Sequence, residues 1–444
     1  MTAPTSKFIS HFLRALLVLL ISAPIVVLIL AIESGPSVPD QQAISPEDIS
    51  HIERLLLENA PRSPDSEQQQ EIRLNGEELN LLLRYALEIT NQAPQWGAQL
   101  SLEPEKLKAD ISLKMFGGSL PLFLNISGNF VNTGGLPELE SLRVGKLGIP
   151  NRFVSYTIER LKQNLLAPNS NYSDFNELLA NINSVNLNDQ SLEVSLYWDP
   201  ELTARIGNQA QLMFISEQDQ KRIINYYQQI ADIALTIPND IRAVSLSSFL
   251  VPLFTTAAMN TAQGSDPIAE NRTLFQTLAI YVNQEPIAQL LGEELSAEID
   301  PAKIIEVRLQ RRQDLAQHLI SIAAITASAG PDIAELLSTT KEAYDARYRT
   351  GFSFSDLTAN TVGVAMARLA TTDPRGAREM QRRMAEIRLE SDYMPEDIGD
   401  NRDGLSESDF NALYQDRTSP EYQQKLEEIR LLIYSRPLFQ GLDI

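Results

Sequence analysis

The sequence predicts an α+β protein: an N-terminal transmembrane helix, an α+β domain built on an antiparallel sheet, and then a mostly α-helical domain. Three observations predict it. Residues 15–32, ALLVLLISAPIVVLILAI, form an uncharged apolar run about long enough to cross a thin bilayer core. Between Glu71 and Arg205 apolar and polar residues alternate with the period of half-buried strands. From Ser216 onward the apolar spacing becomes that of helices.

The chain has 444 residues, more than one hydrophobic core normally serves, so two or more folded units are expected. With 37 basic and 58 acidic residues the net charge is −21, which repels phosphate backbones and argues against nucleic acid as a partner. There is no cysteine, which excludes disulfides, thiol catalysis and thiolate metal sites.

Lys7, His11 and Arg14 precede the apolar run, whereas Glu33, Asp40, Glu47 and Asp48 follow it with no Lys or Arg before Arg54. Positive charge stays on the cytoplasmic side. Residues 1–14 are therefore expected in the cytoplasm, 15–32 in the inner membrane as a single pass, and the body in the periplasm. A cleaved signal peptide is the competing reading, for which AIESGPS is an indifferent cleavage site.

Residues 33–70 read as a spacer with one short helix, opened by Ser45 as cap and Pro46 at the first helical position and running to about Leu57. The α+β domain is expected over 71–210. Asn75 caps an amphipathic helix to Leu87, with Glu78 completing a capping box. Strand patterns follow from Ala98, Leu107, Pro121, Glu138 and Leu192, with turns at Gly117-Gly118 and Gly134-Gly135 and a helix over 151–166. The helical domain is expected over 216–390, with helices at 216–235, 245–261, 266–283, 285–296, 301–328, 331–348, 355–370 and 375–390. An acidic turn and two further helices occupy 391–444, started by Ser406-x-x-Asp409 and Ser419-Pro420.

Candidate chemistry concentrates between Glu270 and Gly363. Asp314 and His318 stand four apart, on one helix face, where a carboxylate would fix the imidazole tautomer. Glu342 and Asp345 share a face of the next helix. Ser353 and Asp356 form a capping box, and Asn360 and Gly363 suit close helix packing. The catalytic candidates are His318, Asp314 and Glu342; the binding candidates are Glu270, Arg272, Arg312, Asp345, Asp356 and Asn360. Each also has a structural reading, as cap, ion pair or satisfied core polar group. His318 is the only histidine beyond the anchor and spacer, so three-histidine and HExxH zinc sites are excluded; no metal and no cofactor is expected. DNRDGLSESDF (Asp400–Phe410) suggests a calcium loop, but Gly399 and Phe410 fall where oxygen ligands are required.

LNGEELNLLLRYA and LRVGKLGIPNRFVSYTIERL resemble an uncharacterised class of single-pass bacterial envelope proteins. That resemblance implies a β-rich, lipid-binding extracytoplasmic domain. Residues 312–363 resemble the motif of small envelope lipoproteins and VanZ-like membrane proteins, in an Asp-x-x-x-His helix, a Lys-Glu-x-x-Asp helix and Phe-Ser-x-x-Asp-Leu-x-x-Asn-x-x-Gly. The matching positions are Asp314, His318, Glu342, Asp345, Asp356, Asn360 and Gly363.

The leading expectation is a non-enzymatic inner-membrane protein whose periplasmic body binds a lipid or cell-wall component. An envelope hydrolase or transferase using His318 as general base, Asp314 to orient it and Glu342 as second acid or base is the alternative. A scaffold subunit with an envelope protein partner is the third.

Overall fold

Antiparallel sheets followed by a long run of helices account for most of the computed structural model, which describes residues 29–39, 44–89, 96–115, 120–132, 136–156, 160, 177, 179–188, 190–202, 215–349, 351–396, 403–417 and 419–442. The expected anchor over 15–32 lies outside these residues except for its last four, as do both glycine-pair turns and most of the second half of the 151–166 helix. No helix among the described residues is long and apolar enough to cross a membrane. The end of the apolar run is strand: β1, Ile32–Glu33, pairs with Leu124 and Phe123.

The chain divides into two units, Met1–Asp48 with Ser63–Thr203, and Ile49–Arg62 with Ala204–Ile444. The expected short helix, α1 (Pro46–Glu58), sends its residues from Ile49 onward to the helical unit, where Ile52 and Leu55 are buried and Glu53 pairs with Arg417. The 33–70 segment is also not all spacer. Its last residues begin strand β2, Gln68–Asn75, which alternates half-buried and exposed positions.

In the first unit, helix α2 (Gly76–Ile89) starts as expected: Asn75 Oδ1 accepts from the Glu77 and Glu78 amides, and Asn75 N donates to Glu78. Strands β3 (Trp96–Glu103), β4 (Lys106–Lys114), β5 (Phe123–Val131), β6 (Glu138–Val144) and β7 (Leu147–Ile149) form an antiparallel meander, and β1 takes the end of β5 that β6 leaves. Asn80 of α2 acts as a substitute neighbour for the β3 edge, donating to Leu100 O and accepting from Leu100 N, so that the buried edge stays satisfied. A second sheet orders β2, β9 (Ser191–Trp198) and β8 (Ile182–Leu187), again antiparallel.

The second unit holds α3 (Glu217–Thr236), β10 (Ala243–Ser245), α4 (Ser247–Ala262), α5 (Pro267–Val282), α6 (Ala288–Ser296), β11 (Glu306–Arg308), α7 (Gln313–Ala329), α8 (Pro331–Tyr348), α9 (Phe354–Thr371), α10 (Pro374–Met384), α11 (Glu407–Tyr414) and α12 (Pro420–Tyr434). Ser216, Asp266, Ser353, Asp373, Ser406 and Ser419 each accept a backbone N–H as N-caps. The expected helix over 301–328 is corrected. Ile305, Val307 and Leu309 are buried with period two, and β11 pairs in parallel with β10. Positive φ at Gln310 and Arg311 then turns the chain into α7.

Gly363 brings α7 and α9 together. A Cβ there would stand 2.3 Å from Leu319 O, so only glycine permits this approach. Gly351, at φ +90°, plays the same part for the entry to α9, meeting the backbone of Gly404 where Phe352 and Leu405 exchange hydrogen bonds of 2.7 and 3.0 Å.

Candidate functional site

Three consecutive helices supply the site. His318 sits in the second turn of α7, Glu342 in the middle of α8, and Asp356 and Asn360 in the first turns of α9. The α7–α9 contact at Gly363 sets the spacing of the first and third. His318 Nδ1 lies 3.2 Å from Asn360 Oδ1, and Nε2 lies 3.4 Å from Asp356 Oδ2. With Asn360 oriented so, Nδ1 carries the proton and donates, which leaves the Nε2 lone pair facing the carboxylate.

Glu342 is fully buried. Its Oε2 accepts from the Ser353 amide at 3.3 Å, while Oε1 has no hydrogen-bond partner; Asn360 Nδ2 has none either. Lys341 reaches within 3.8 Å of that Oε1, but its ammonium is held at 2.7 Å by Asp345. Glu342 therefore does not lie on a solvated face: its side chain points into the fold.

Arg312 covers the cluster from the N-terminal end of α7. It bonds Asp314 at 2.6 and 3.1 Å, Asp356 Oδ1 at 3.1 Å and Asp403 at 2.7 Å. Asp314, expected to orient the imidazole, is thus paired with Arg312, and Asn360 and Asp356 hold the ring instead. Asp403 also accepts from Ser355 Oγ at 2.8 Å and Ser353 Oγ at 2.9 Å, so both hydroxyls are tied to a carboxylate rather than to the histidine.

The electrostatics follow from burial. Glu342 is pushed up to about 8 by desolvation, against the pull of Lys341. Burial also lowers His318, opposed by Asp356, and raises Asp356, opposed by His318 and Arg312. Asp314 is lowered by its hydrogen bond from Arg312. Asp403 is lowered because bonds from Ser355, Arg312 and Ser353 outweigh its burial.

A cleft of about 1160 Å³ lies alongside. Ser247, Gln310, Arg311, Arg312, Ser355 and Asp403 are among its lining residues. The His318–Glu342–Asp356 cluster stands behind the Arg312–Ser355–Asp403 wall of that cleft, joined to it by the Arg312–Asp356 bond.

Glu270 and Arg272 lie elsewhere. Glu270 accepts from Tyr226 Oη at 2.6 Å, Asn260 at 2.9 Å and Arg222 at 3.1 Å, and Arg272 pairs with Asp219 at 3.4 Å. Among the candidates, the structure brings together His318, Glu342, Asp356, Asn360, Arg312, Asp314 and Asp345, and separates out Glu270 and Arg272 as a second cluster with α3.

The residue that sequence reasoning missed is Asp403. Its signal was present as an Asp-Gly pair just before a capped helix, but that stretch was weighed only as a calcium loop. No metal is expected from the sequence. One ring nitrogen of His318 and one carboxylate oxygen each of Glu342 and Asp356 lie within 4.8 Å of one another, a donor set able to hold a cation. No protein-family model, no curated protein and no solved structure matches this chain.

Proposed function

We propose that the chain is a single-pass inner-membrane protein with a periplasmic body, and that its helical unit is an envelope hydrolase or transferase working at the His318–Glu342–Asp356 cluster on a polar envelope component held in the adjoining cleft. The location rests on the apolar run at 15–32 and the charge asymmetry around it. The reading of the helical unit rests on one observation. Three ionisable groups from three helices converge, and two atoms of the cluster, Glu342 Oε1 and Asn360 Nδ2, are buried without a hydrogen bond. Each unmet buried polar group costs about 1–3 kcal/mol, a cost that a ligand bound at the cluster would offset. Arg312 lines the cleft and bonds Asp356, and so links a polar component held there to the cluster, with Asn360 setting the tautomer of His318.

The test compares His318→Ala and Glu342→Gln with wild type in the full chain in detergent micelles, by thermal unfolding and by binding and turnover of extracted envelope lipids and cell-wall fragments. Wild-type stability with loss of binding or turnover supports the proposal. Unfolding several degrees lower with ligand handling intact makes the cluster structural and sinks it.

A second reading, membrane or lipid contact by the sheet unit, is favoured by Phe153 and Tyr156, which are 53% and 61% exposed beside Arg152 and Arg160. Apolar rings flanked by cations suit a headgroup boundary. Phe153→Ser/Tyr156→Ser should then weaken cosedimentation with anionic vesicles; undiminished cosedimentation removes this reading.

A further inference from the structure

We propose that His318 Nε2, Asp356 Oδ2 and a carboxylate oxygen of Glu342 are the ligands of a divalent metal cation of the zinc or manganese class. This rests on the reading that the cluster is a working site.

The distances favour a cation over a shared proton. An N–H···O bond closes to about 2.7–3.2 Å, whereas His318 Nε2 and Asp356 Oδ2 stand 3.4 Å apart. Two donors each about 2.05 Å from a tetrahedral ion are separated by about 3.4 Å, which is that spacing. The third donor, Glu342, lies within 4.8 Å of the other two, so about 1 Å of side-chain movement completes the set.

The donor atoms are prepared for a cation. Glu342 Oε1 is buried without a hydrogen bond and belongs to a fully buried residue, so it has nothing to lose by turning to an ion. Asn360 Oδ1 on Nδ1 fixes the tautomer that leaves Nε2 bare, the arrangement by which supporting groups aim metal-bound histidines. Arg312 holds Asp356 by Oδ1 and leaves Oδ2 pointing inward. Lys341 is a second positive charge beside the donors; Asp345 draws its ammonium to 2.7 Å while Glu342 Oε1 is 3.8 Å away. One imidazole and two carboxylates make a borderline-hard set that suits Zn²⁺ or Mn²⁺ over Cu⁺ or an all-oxygen Ca²⁺ shell. Three protein ligands leave room for water or substrate, as catalytic rather than structural zinc sites do.

The experiment uses the full chain in detergent after chelator treatment and dialysis. ZnCl2 and MnCl2 are titrated calorimetrically, and CoCl2 is followed by visible absorption. The expected result is one saturable equivalent, a cobalt d–d band displaced by zinc, and a metal-dependent rise in Tm. His318→Ala, Glu342→Gln and Asp356→Asn should each weaken binding by about tenfold or more, a loss already typical of removing a supporting group. Glu386→Gln, an exposed residue paired with Arg382 outside the cluster, should keep it within about threefold. The wild-type cobalt spectrum decides the matter even if a variant fails to fold. Absence of saturable binding and of a cobalt band overturns the proposal, and so does binding that survives in all three ligand variants. If no metal binds but His318→Ala, at wild-type stability, loses ligand binding or turnover, the cation is overturned while the working site stands.

Discussion

Gly363→Ala tests whether the α7–α9 contact builds the site. The added methyl would meet Leu319 O at 2.3 Å, Ile322 Cγ2 at 3.0 Å and the Ala323 amide at 3.2 Å. Ordinary carbon–oxygen contact begins near 3.4 Å, so the two helices must part by about 1 Å. The obstruction is backbone on a buried helix and has no rotamer with which to escape. Overpacking of this kind costs about 1–3 kcal/mol, and the better helix propensity of alanine returns up to about 1 kcal/mol. A net loss of about 1–2 kcal/mol in a unit of this size lowers Tm by about 3–6 °C. Because His318 rides on one helix and Asp356 and Asn360 on the other, the same separation should open the 3.2 and 3.4 Å contacts and weaken cobalt binding. The assay is thermal and urea unfolding of the variant beside Gly148→Ala, a glycine with nothing within 4 Å of its added Cβ. A Tm at or above wild type for Gly363→Ala would refute the reasoning, since propensity alone would then be acting.

Three further changes probe other parts of the argument. Asn271, fully buried, donates to Ala370 O and Ala377 O and accepts from Gln381, so Asn271→Ala should cost about 2–4 kcal/mol by urea unfolding; a loss under about 1 kcal/mol would contradict it. Asn80→Ala strips the β3 edge of its substitute partner at Leu100 and should cost about 1–3 kcal/mol, with faster amide exchange at Leu100; unchanged exchange there would count against that role. Glu379 is pulled down to about 2 by Arg382 and Arg383. A depressed carboxylate stabilises above its unfolded value near 4.3 and loses that stabilisation as pH falls toward 2. Glu379→Gln should therefore be less stable than wild type by about 1 kcal/mol at pH 6, after allowance for solvent screening, and the gap should close on acidification; a gap that widens would overturn the assignment.

How much of this was legible in the sequence depended on the range of the forces involved. Caps were legible because they act over three residues: Asn75, Ser216, Ser353, Ser406 and Ser419 all start helices where their pattern places them. The antiparallel strands were legible from period-two alternation, and the helical C-terminal region from its lengthened apolar spacing. Segments with few apolar residues were not. QQQEIRLN is a strand whose partner lies far along the chain, and Glu306–Arg308 pairs with residues some sixty positions earlier, beyond any local window; INSVNL, although it forms a hairpin with the next strand, carries few apolar residues. The site divides in the same way. His318 and Asp314 drew attention by their spacing, but which carboxylate faces the ring was decided by the crossing of α7 and α9 at Gly363. Asp403 was missed because its Asp-Gly stretch was weighed only as a calcium loop, and the Gly351–Gly404 backbone contact that delivers it to the site is not local.

What separates this cluster from an ordinary buried ion network is the direction of its imbalance. The Glu270 group shows how the same fold closes such a network. Its carboxylate takes Tyr226, Asn260 and Arg222, and none of the four has an unbonded buried atom. At Glu342 a carboxylate is equally buried, yet Oε1 has no hydrogen bond and the nearest cation, Lys341, stands 3.8 Å away. Glutamine at 342 would remove the cost of burying an acid. The arrangement makes physical sense when something positive occupies the centre. Of the two neighbouring cations, Arg312 bonds Asp356 by Oδ1 alone and Lys341 is drawn to Asp345. The cation proposed above would place positive charge between His318, Glu342 and Asp356.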